Sequence, residues 1–211
     1  MILFSDTDII LKLASLDLLE EALVALDCSK GEVRVLPTAR FQLKSANLEK
    51  KFGTQALARA RDFVNGTSPI EGEPALAEFQ CLLDANLDPG EAAMFACALS
   101  STDIFVSSGD KRALEALATH PGCRKLVRHF SRRVFCLEYI VLQIITTNDF
   151  DSLLPKLVAG YDCDTAIRAA FGSGMKAQLE NVVRSLESRV ADLNERTGGT
   201  LLVVDPTTKQ Q

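Results

Sequence analysis

Three acidic residues, Asp6, Glu91 and Asp110, are the side chains of this 211-residue chain whose types and surroundings best suit chemistry. Carboxylate oxygens are the ligands that Mg²⁺ and Mn²⁺ prefer, and such ions supply a water nucleophile and charge neutralisation in the hydrolysis of a phosphodiester. Carboxylates that lie close together repel one another and raise each other's pKa, so a close cluster is favourable mainly when a cation binds it. The sequence therefore predicts a divalent-cation site, provided that the fold brings the three residues together.

The predicted strands and helices around these three residues indicate that the fold brings them together. Asp6 and Asp110 each follow a predicted strand, at residues 1–5 and 104–107, and Glu91 lies in the first turn of a predicted Ala-rich helix. In an open parallel sheet, ligands bind at the carboxyl ends of the strands. Asp6 and Asp110 are therefore expected at the same edge of the sheet. The positive end of the helix dipole would stabilise the Glu91 carboxylate there.

Predicted strands alternate with predicted helices along most of the chain. This pattern predicts an α/β fold with a mostly parallel central sheet and helices on both faces. The strands are predicted at 1–5, 33–36, 104–107 and 133–137, and the helices at 9–26, 38–50, 54–65, 74–86, 91–99 and 111–118. The alternation stops at Thr146, so we divide the chain into an α/β domain at residues 1–145 and a helical C-terminal extension at residues 146–211.

The extension is predicted to hold helical residues 150–171 with an interruption near Cys163, a hinge at 172–174, a long amphipathic helix at 175–196 and a further strand at 201–204. An apolar stripe runs along the long helix, formed by Leu179, Val183, Leu186, Val190 and Leu193. The stripe fits a helix that packs back on its own domain, and it also fits a contact in a homodimer. Two heptads are too few to indicate a coiled coil.

Three segments resemble, in the same order, the motifs of PIN domains. FSDTDIILKLA at 4–14 resembles their opening, in which an aspartate separates the first strand from an apolar helix. LDPGEAAMFACAL at 87–99 is similar to their Gly-Glu-Ala motif, and TDIFVSSGDKRALEAL at 102–117 resembles their strand–Asp–helix segment. The match covers about residues 1–145. It implies a metal-dependent nuclease, most often acting on RNA, with relatives among toxin ribonucleases and RNA-processing enzymes.

Carried over to this chain, the resemblance implies that Asp6, Glu91 and Asp110 are catalytic ligands of Mg²⁺ or Mn²⁺. Metal-activated water would attack the phosphodiester in line and leave a 5′-phosphate. Asp8 would either contact and orient the metal ligands without binding the ion itself or cap the following helix. Gln42 stands where the family usually places another acid. Glutamine can orient a water by hydrogen bonding but brings no negative charge, which weakens the expectation of catalysis.

Two interpretations therefore stay open. The first is an active ribonuclease, whose activity an inhibitor protein could control. The second is a non-catalytic PIN-like module that binds RNA or a protein partner through a basic flank or the C-terminal helices. Each acid also has a purely structural explanation: Asp6 and Asp8 as helix caps, Glu91 as a partner of the helix dipole, and Asp110 as a turn residue.

Charge is distributed unevenly along the chain. Residues 71–110 contain eight acidic residues and no Lys or Arg, whereas residues 111–133 contain one acidic residue and a run of basic ones. An acidic cleft beside a basic flank suits an enzyme that holds metal ions against a phosphate backbone, although charge runs are often only solvated surface. The basic flank, which we predict to contact nucleic acid, consists of Lys111, Arg112, Arg124, Lys125, Arg128, Arg132 and Arg133.

The remaining features predict a cytoplasmic protein without a membrane segment. The first ten residues, MILFSDTDII, lack the pattern of a secretory signal, and the apolar stretch at 134–145 is too short to span a bilayer. The six cysteines contain no C-x-x-C pair, so we expect reduced thiols. His120 and His129 are expected at the surface, with no cysteine at the spacing of zinc ligands.

Overall fold

A five-stranded sheet in the order β3-β2-β1-β4-β5 forms the centre of the protein in a computed structural model, which describes residues 1–100 and 102–204. Every pair of neighbouring strands in this sheet is parallel. Parallel neighbours require crossover connections, and helices supply them here. The predicted α/β fold with a parallel central sheet is confirmed. The strands are β1 (Ile2–Ser5), β2 (Val33–Val35), β3 (Ser68–Pro69), β4 (Ile104–Ser108) and β5 (Val134–Cys136).

Thirteen α-helices accompany this sheet in the described part of the chain. Before β4 they are α1 (Thr7–Ser15), α2 (Leu19–Ala25), α3 (Ala39–Gln42), α4 (Ala46–Phe52), α5 (Thr54–Asn65), α6 (Leu76–Asp84) and α7 (Pro89–Ala98). After β4 they are α8 (Lys111–Thr119), α9 (Arg124–His129), α10 (Leu137–Thr147), α11 (Phe150–Gly160), α12 (Thr165–Ala170) and α13 (Leu179–Arg196). No helix in the described ranges has both the length and the apolar character needed to cross a membrane.

The register between β1 and β4 positions the carboxyl edge of the sheet. Ser5 lies opposite Ser107, and their buried hydroxyl groups form a hydrogen bond of 2.9 Å. The backbone N–H of Asp6 then donates to the carbonyl oxygen of Ser107 at 3.1 Å. The chain segments that leave the two central strands are therefore held side by side where they enter α1 and α8.

Some predicted elements are wrong in detail. The helix predicted at 9–26 is divided into α1 and α2, because the chain turns at Asp17, which has a φ of 56°. Aspartate is one of the few residues that tolerates this left-handed conformation. Strand β3 was not predicted; it has only two residues, one of them proline. The strand predicted at 201–204 is reduced to one isolated parallel bridge between Val134 and Leu202.

The C-terminal extension packs back on the α/β domain. Helix α13 buries four side chains in a core that is continuous with that of the sheet: Val182, Leu186, Val190 and Leu193. The predicted stripe is wrong at its first turn, where Val182 is buried while Leu179 is 38 % exposed. At the end of α11, a Cβ on Gly160 would overlap the carbonyl oxygen of Ser15. The extension thus lies directly against α1, with glycine permitting the close approach.

Candidate functional site

An open cleft of about 890 Å³ lies at the carboxyl edge of the sheet, above β1 and β4. Asp6, Glu91 and Asp110 all line this cleft. Asp6 comes from the turn after β1, Asp110 from the turn after β4, and Glu91 from the first turn of α7. Three further acidic residues line the same cleft: Asp8, Asp88 and Asp164. Gln42 and Thr7 also lie on its wall.

Asp88 and Asp110 begin helices at the cleft, each through one carboxylate oxygen. Asp88 Oδ1 accepts hydrogen bonds from the backbone N–H groups of Gly90 (2.7 Å) and Glu91 (2.9 Å). Asp110 Oδ1 accepts from the N–H groups of Arg112 (2.8 Å) and Ala113 (3.2 Å). These contacts are N-caps and explain part of why aspartate is suited to both positions. The second oxygen of each carboxylate is left for another ligand, since no hydrogen bond to it occurs within the described residues.

Two carboxyl groups of the cleft have a raised pKa, those of Asp6 and Glu91. Burial, together with the charges of Asp8 and Asp88, raises the pKa of Asp6 to about 7. Burial also raises the pKa of Glu91 to about 8, and Asp88, Asp110 and Asp6 add to the shift. Across the described ranges, no Lys or Arg forms an ion pair within 4 Å of Asp6, Asp88, Glu91 or Asp110. We call these four residues the carboxylate cluster; no three of them place one oxygen atom each within 4.8 Å of one another, so a shared cation would require the side chains to move closer.

Lys12 neutralises a different pair of acids beside this cluster. Its Nζ lies 2.6 Å from Asp8 Oδ2 and 3.0 Å from Asp164 Oδ2, and it donates to the Gly109 carbonyl oxygen at 3.4 Å. Burial disfavours the charged ammonium, but the two carboxylates outweigh this effect and raise the pKa of Lys12 above its ordinary value. The side chain of Asp8 is thus engaged by a lysine rather than by the backbone of α1.

Asp164 brings the C-terminal extension into the site. Its Oδ1 caps α12 by accepting from the N–H groups of Ala166 (2.8 Å) and Ile167 (3.3 Å), while Oδ2 faces Lys12. Burial opposes ionisation, but Lys12 and the cap bonds dominate and lower the pKa of Asp164. Asp164, Lys12 and Asp88 were all missed as site residues. Only Asp88 carries a local signal, because it stands three residues before Glu91 in a helix-start pattern.

Gln42 lies where its amide faces the cleft. Its Oε1 accepts a hydrogen bond of 3.1 Å from the hydroxyl group of Thr7, the residue between Asp6 and Asp8. The amide adds polar character to the wall but no charge. Asp88 supplies a fourth carboxylate to the cleft from another element, so the cluster retains four acidic side chains despite the glutamine.

The predicted basic flank does not form one surface at the cleft. Lys111 and Arg112 line it, and Lys111 also forms an ion pair with the buried carboxylate of Glu138. The other five residues do not line the cleft: Arg124, Lys125, Arg128, Arg132 and Arg133. Lys125 pairs with Glu78 instead, and the guanidinium of Arg133 donates to the carbonyl oxygen of Thr102. A different cation, Lys51 of α4, stands on the cleft wall and was not predicted.

A second group of polar side chains lies outside the cleft. No cysteine was predicted at the spacing of zinc ligands from His120, but His120 Nδ1 is 3.7 Å from Cys123 Sγ and 3.9 Å from Cys81 Sγ. The sequence held a signal for this pair, since Cys123 follows His120 by three residues. Cys81 comes from the distant α6. None of the six cysteines, all of which lie in the described ranges, forms a disulfide bond: Cys28, Cys81, Cys97, Cys123, Cys136 and Cys163.

Three helices begin at acidic residues that line the cleft, Asp88, Asp110 and Asp164, and the cleft lies at the carboxyl edge of a parallel sheet. Comparison of the chain with protein-family models, with curated proteins and with solved structures found no match.

Proposed function

We propose that this protein is a PIN-like nuclease that depends on a divalent cation, Mg²⁺ or Mn²⁺, and acts on RNA. The carboxylate cluster is the observation that supports this proposal. Four acidic side chains line one cleft at the carboxyl edge of a parallel sheet, where ligands bind in folds of this type. Burial and, to a smaller extent, repulsion by neighbouring acidic residues raise the pKa of Asp6 and Glu91, and a bound cation would relieve that repulsion.

The carboxylate oxygen atoms around the cleft are donors of the kind that a hard cation prefers, and they would have to move closer together to bind one ion. Asp88 and Asp110 each use only Oδ1 to cap a helix, which leaves Oδ2 available while the cap fixes the carboxylate in place. Asp6 and Glu91 are held by the ends of β1 and α7, so the site is built on rigid elements. When bound, the cation would supply an activated water and neutralise charge on the leaving oxygen. The chain's own carboxylates would hold the cation and orient that water by accepting its hydrogen bonds.

The walls of the cleft suit a nucleic acid strand. Lys51, Lys111 and Arg112 place positive charge beside the carboxylate cluster, where phosphates would approach. Phe52 also lines the cleft, and the Lys51 ammonium lies 4.6 Å from the centre of its ring. An aromatic face next to cations is the combination with which proteins bind single strands, because bases stack on the ring while the cations contact the backbone. The preference for RNA over DNA rests on the PIN-domain resemblance.

The second candidate is a non-catalytic PIN-like module that binds RNA or a protein partner. Gln42 is the observation that favours it, because a neutral amide faces the cleft at the position of an expected acid. We place it second because Asp88 restores the number of carboxylates around the cleft. The two candidates differ in one property: only the enzyme requires the cluster to bind a cation and to break a phosphodiester.

An RNA cleavage assay tests the proposal. A set of end-labelled single-stranded RNAs is incubated with the full-length protein and Mn²⁺ or Mg²⁺, beside the Asp6→Asn and Asp151→Asn variants. We expect cleavage by the wild type to 5′-phosphate products and a loss of more than about 100-fold in Asp6→Asn, because even partners of metal ligands contribute 10–100-fold. Asp151 is an exposed acid of the extension, so its variant should retain activity. Retention of an RNA complex without cleavage would favour the binding module instead.

A further inference from the structure

A cluster of two thiols and an imidazole lies outside the cleft and has no role in the proposed reaction. Cys81 lies near the end of α6, His120 precedes a short 3₁₀ turn (Pro121–Cys123) after α8, and Cys123 is the last residue of that turn. The two sulfur atoms lie 3.0 Å apart, and His120 Nδ1 lies 3.9 Å from Cys81 Sγ and 3.7 Å from Cys123 Sγ. One potential ligand atom from each residue therefore lies within 4.8 Å of the other two.

The spacing of these atoms is close to that around a tetrahedral zinc ion. Zinc binds thiolate sulfur at about 2.3 Å and imidazole nitrogen at about 2.0–2.1 Å, which separates the ligand atoms by about 3.5–3.8 Å. Both sulfur–nitrogen distances lie within about 0.2 Å of that range. The sulfur–sulfur distance is shorter, and it would have to open by less than about 1 Å for an ion to enter.

The backbone of the 3₁₀ turn keeps the cluster together. The N–H of Cys123 donates to the carbonyl oxygen of His120 at 3.0 Å, which orients both ligands to one side. Gly122 lies between them in sequence, and a Cβ there would be 2.9 Å from Cys81 Sγ and 3.3 Å from His120 Nδ1. A larger residue at this position would therefore intrude on the ligand atoms. Cys81 and His120 are only partly buried, so an ion can reach the cluster from solvent.

We propose that Cys81, His120 and Cys123 bind one Zn²⁺ ion through two thiolate sulfur atoms and the imidazole Nδ1. A water molecule takes the fourth position, because no further His, Cys, Asp or Glu in the described residues joins this group. Binding releases the two thiol protons to solvent and involves no change of oxidation state. Soft thiolates and imidazole select zinc over Mg²⁺ or Mn²⁺, so this site is chemically separate from the carboxylate cluster.

Zinc would connect parts of the chain that are distant in sequence. Cys81 fixes the end of α6, which leads into α7 and Glu91, whereas His120 and Cys123 fix the connection between α8 and α9. Because the ion binds the folded arrangement, its binding free energy adds to the stability of the fold. The ion thus stabilises the connection between the two helices, α7 and α8, that carry acids of the cleft.

Cobalt and zinc titrations of the reduced full-length chain test this proposal. Co²⁺ bound by thiolates gives sulfur-to-cobalt charge-transfer absorption and, in a tetrahedral site, intense visible bands. We expect these bands at one ion per chain, their displacement by Zn²⁺, and a rise in melting temperature with added Zn²⁺. Cys81→Ser, Cys123→Ser and His120→Gln should each weaken zinc binding by at least about 10-fold, because each removes a ligand.

Matched variants outside the cluster serve as controls. Cys28→Ser and His129→Gln change the same residue types elsewhere and should retain the cobalt spectrum, since Cys28 Sγ faces the Ser29 carbonyl oxygen and His129 Nε2 lies 3.2 Å from the Ala98 carbonyl oxygen. The cobalt spectrum of the wild-type protein tests the proposal by itself, even if a variant of the cluster fails to fold. The proposal is overturned by cobalt spectra without thiolate bands, by equal loss in the controls, or by a Cys81–Cys123 disulfide that persists under reducing conditions.

Discussion

Lys12 Nζ lies 3.0 Å from Asp164 Oδ2, so an ion pair joins α1 to the C-terminal extension at the wall of the acidic cleft. The lysine side chain is 10 % exposed and the aspartate 12 %. Ion pairs that are withdrawn from water in this way depend strongly on both partners, because the loss of one leaves the other buried and unpaired. The extension is therefore part of the structure that surrounds the site.

Replacement of Asp164 should separate its two roles. Asp164→Asn keeps a side chain able to cap α12 and removes the charge that pairs with Lys12, whereas Asp164→Ala removes both. We expect Asn to lower the free energy of unfolding by roughly 1–3 kcal/mol, since Asp8 still pairs with Lys12. Ala should cost about 1 kcal/mol more because the cap is also lost. Chemical denaturation measures both values. Equal stability of Asp164→Asn and wild type would contradict the structural role of the pair, and Asp162→Asn, at an exposed position, is the control.

Gly160→Ala should loosen the extension. The added methyl group would overlap the Ser15 carbonyl oxygen, which belongs to backbone and cannot rotate away. We expect a loss of at least about 1–3 kcal/mol and faster proteolysis of residues beyond α10, because overpacking forces backbone shifts. Gly31→Ala is the control, since a Cβ there meets no atom within 4 Å. Unchanged stability and proteolysis of Gly160→Ala would argue against the close packing of α11 on α1.

The metal-free protein should become less stable as the pH rises from about 4 to about 8. Asp6 and Glu91 have folded-state pKa values of about 7 and about 8, above their ordinary values of 3.8 and 4.5. In that interval the folded state holds more protons than the unfolded state, so the free energy of unfolding falls with pH. Denaturation at a series of pH values in EDTA measures this slope. Asp6→Asn and Glu91→Gln should flatten it, whereas Asp151→Asn should not. A slope that is unchanged in Asp6→Asn would show that Asp6 is not perturbed.

Gln42→Glu should increase the affinity of the cleft for Mn²⁺. The substitution adds a fifth carboxylate beside the carboxylate cluster, with little change in shape, and hard cations bind more tightly as carboxylate ligands are added. We expect a decrease in Kd of several-fold and a lower stability without metal, because the new charge is repelled by its neighbours. Calorimetric titration compares it with Gln55→Glu, which adds the same charge at an exposed position of α5. An unchanged Kd would place Gln42 outside the reach of the cation.

The sequence was sufficient to predict the sheet edge at which Asp6 and Asp110 lie. Both residues follow apolar, β-rich runs, and parallel strands necessarily present their carboxyl ends together. The division of the helix at 9–26 was not predictable from apolar periodicity, because the stripe continues across the turn at Asp17. Strand β3 was missed since two residues that include a proline carry no alternating pattern.

The features of the structure that the sequence did not predict depend on contacts between segments that are distant in sequence. Nothing near Asp164 indicates that it meets Lys12, because the pair forms only when the extension docks on α1. The cluster of Cys81, His120 and Cys123 was missed for a similar reason. His120 and Cys123 are close in sequence, but their third partner lies on α6, and only the packing of α6 against the turn after α8 brings it near.

Calorimetric titration of Mn²⁺ into the metal-free protein measures whether the carboxylate cluster binds a divalent cation. The comparison is with the Asp6→Asn, Asp110→Asn double variant, in which asparagine preserves the cap of α8. Cys81→Ser, Cys123→Ser is the control for ions bound by the thiols. We predict saturable binding in the wild type and in the cysteine variant, and its loss in the aspartate variant. Absence of saturable binding up to millimolar Mn²⁺ in the wild type, or equal binding in the aspartate variant, would show that the carboxylate cluster does not bind this cation.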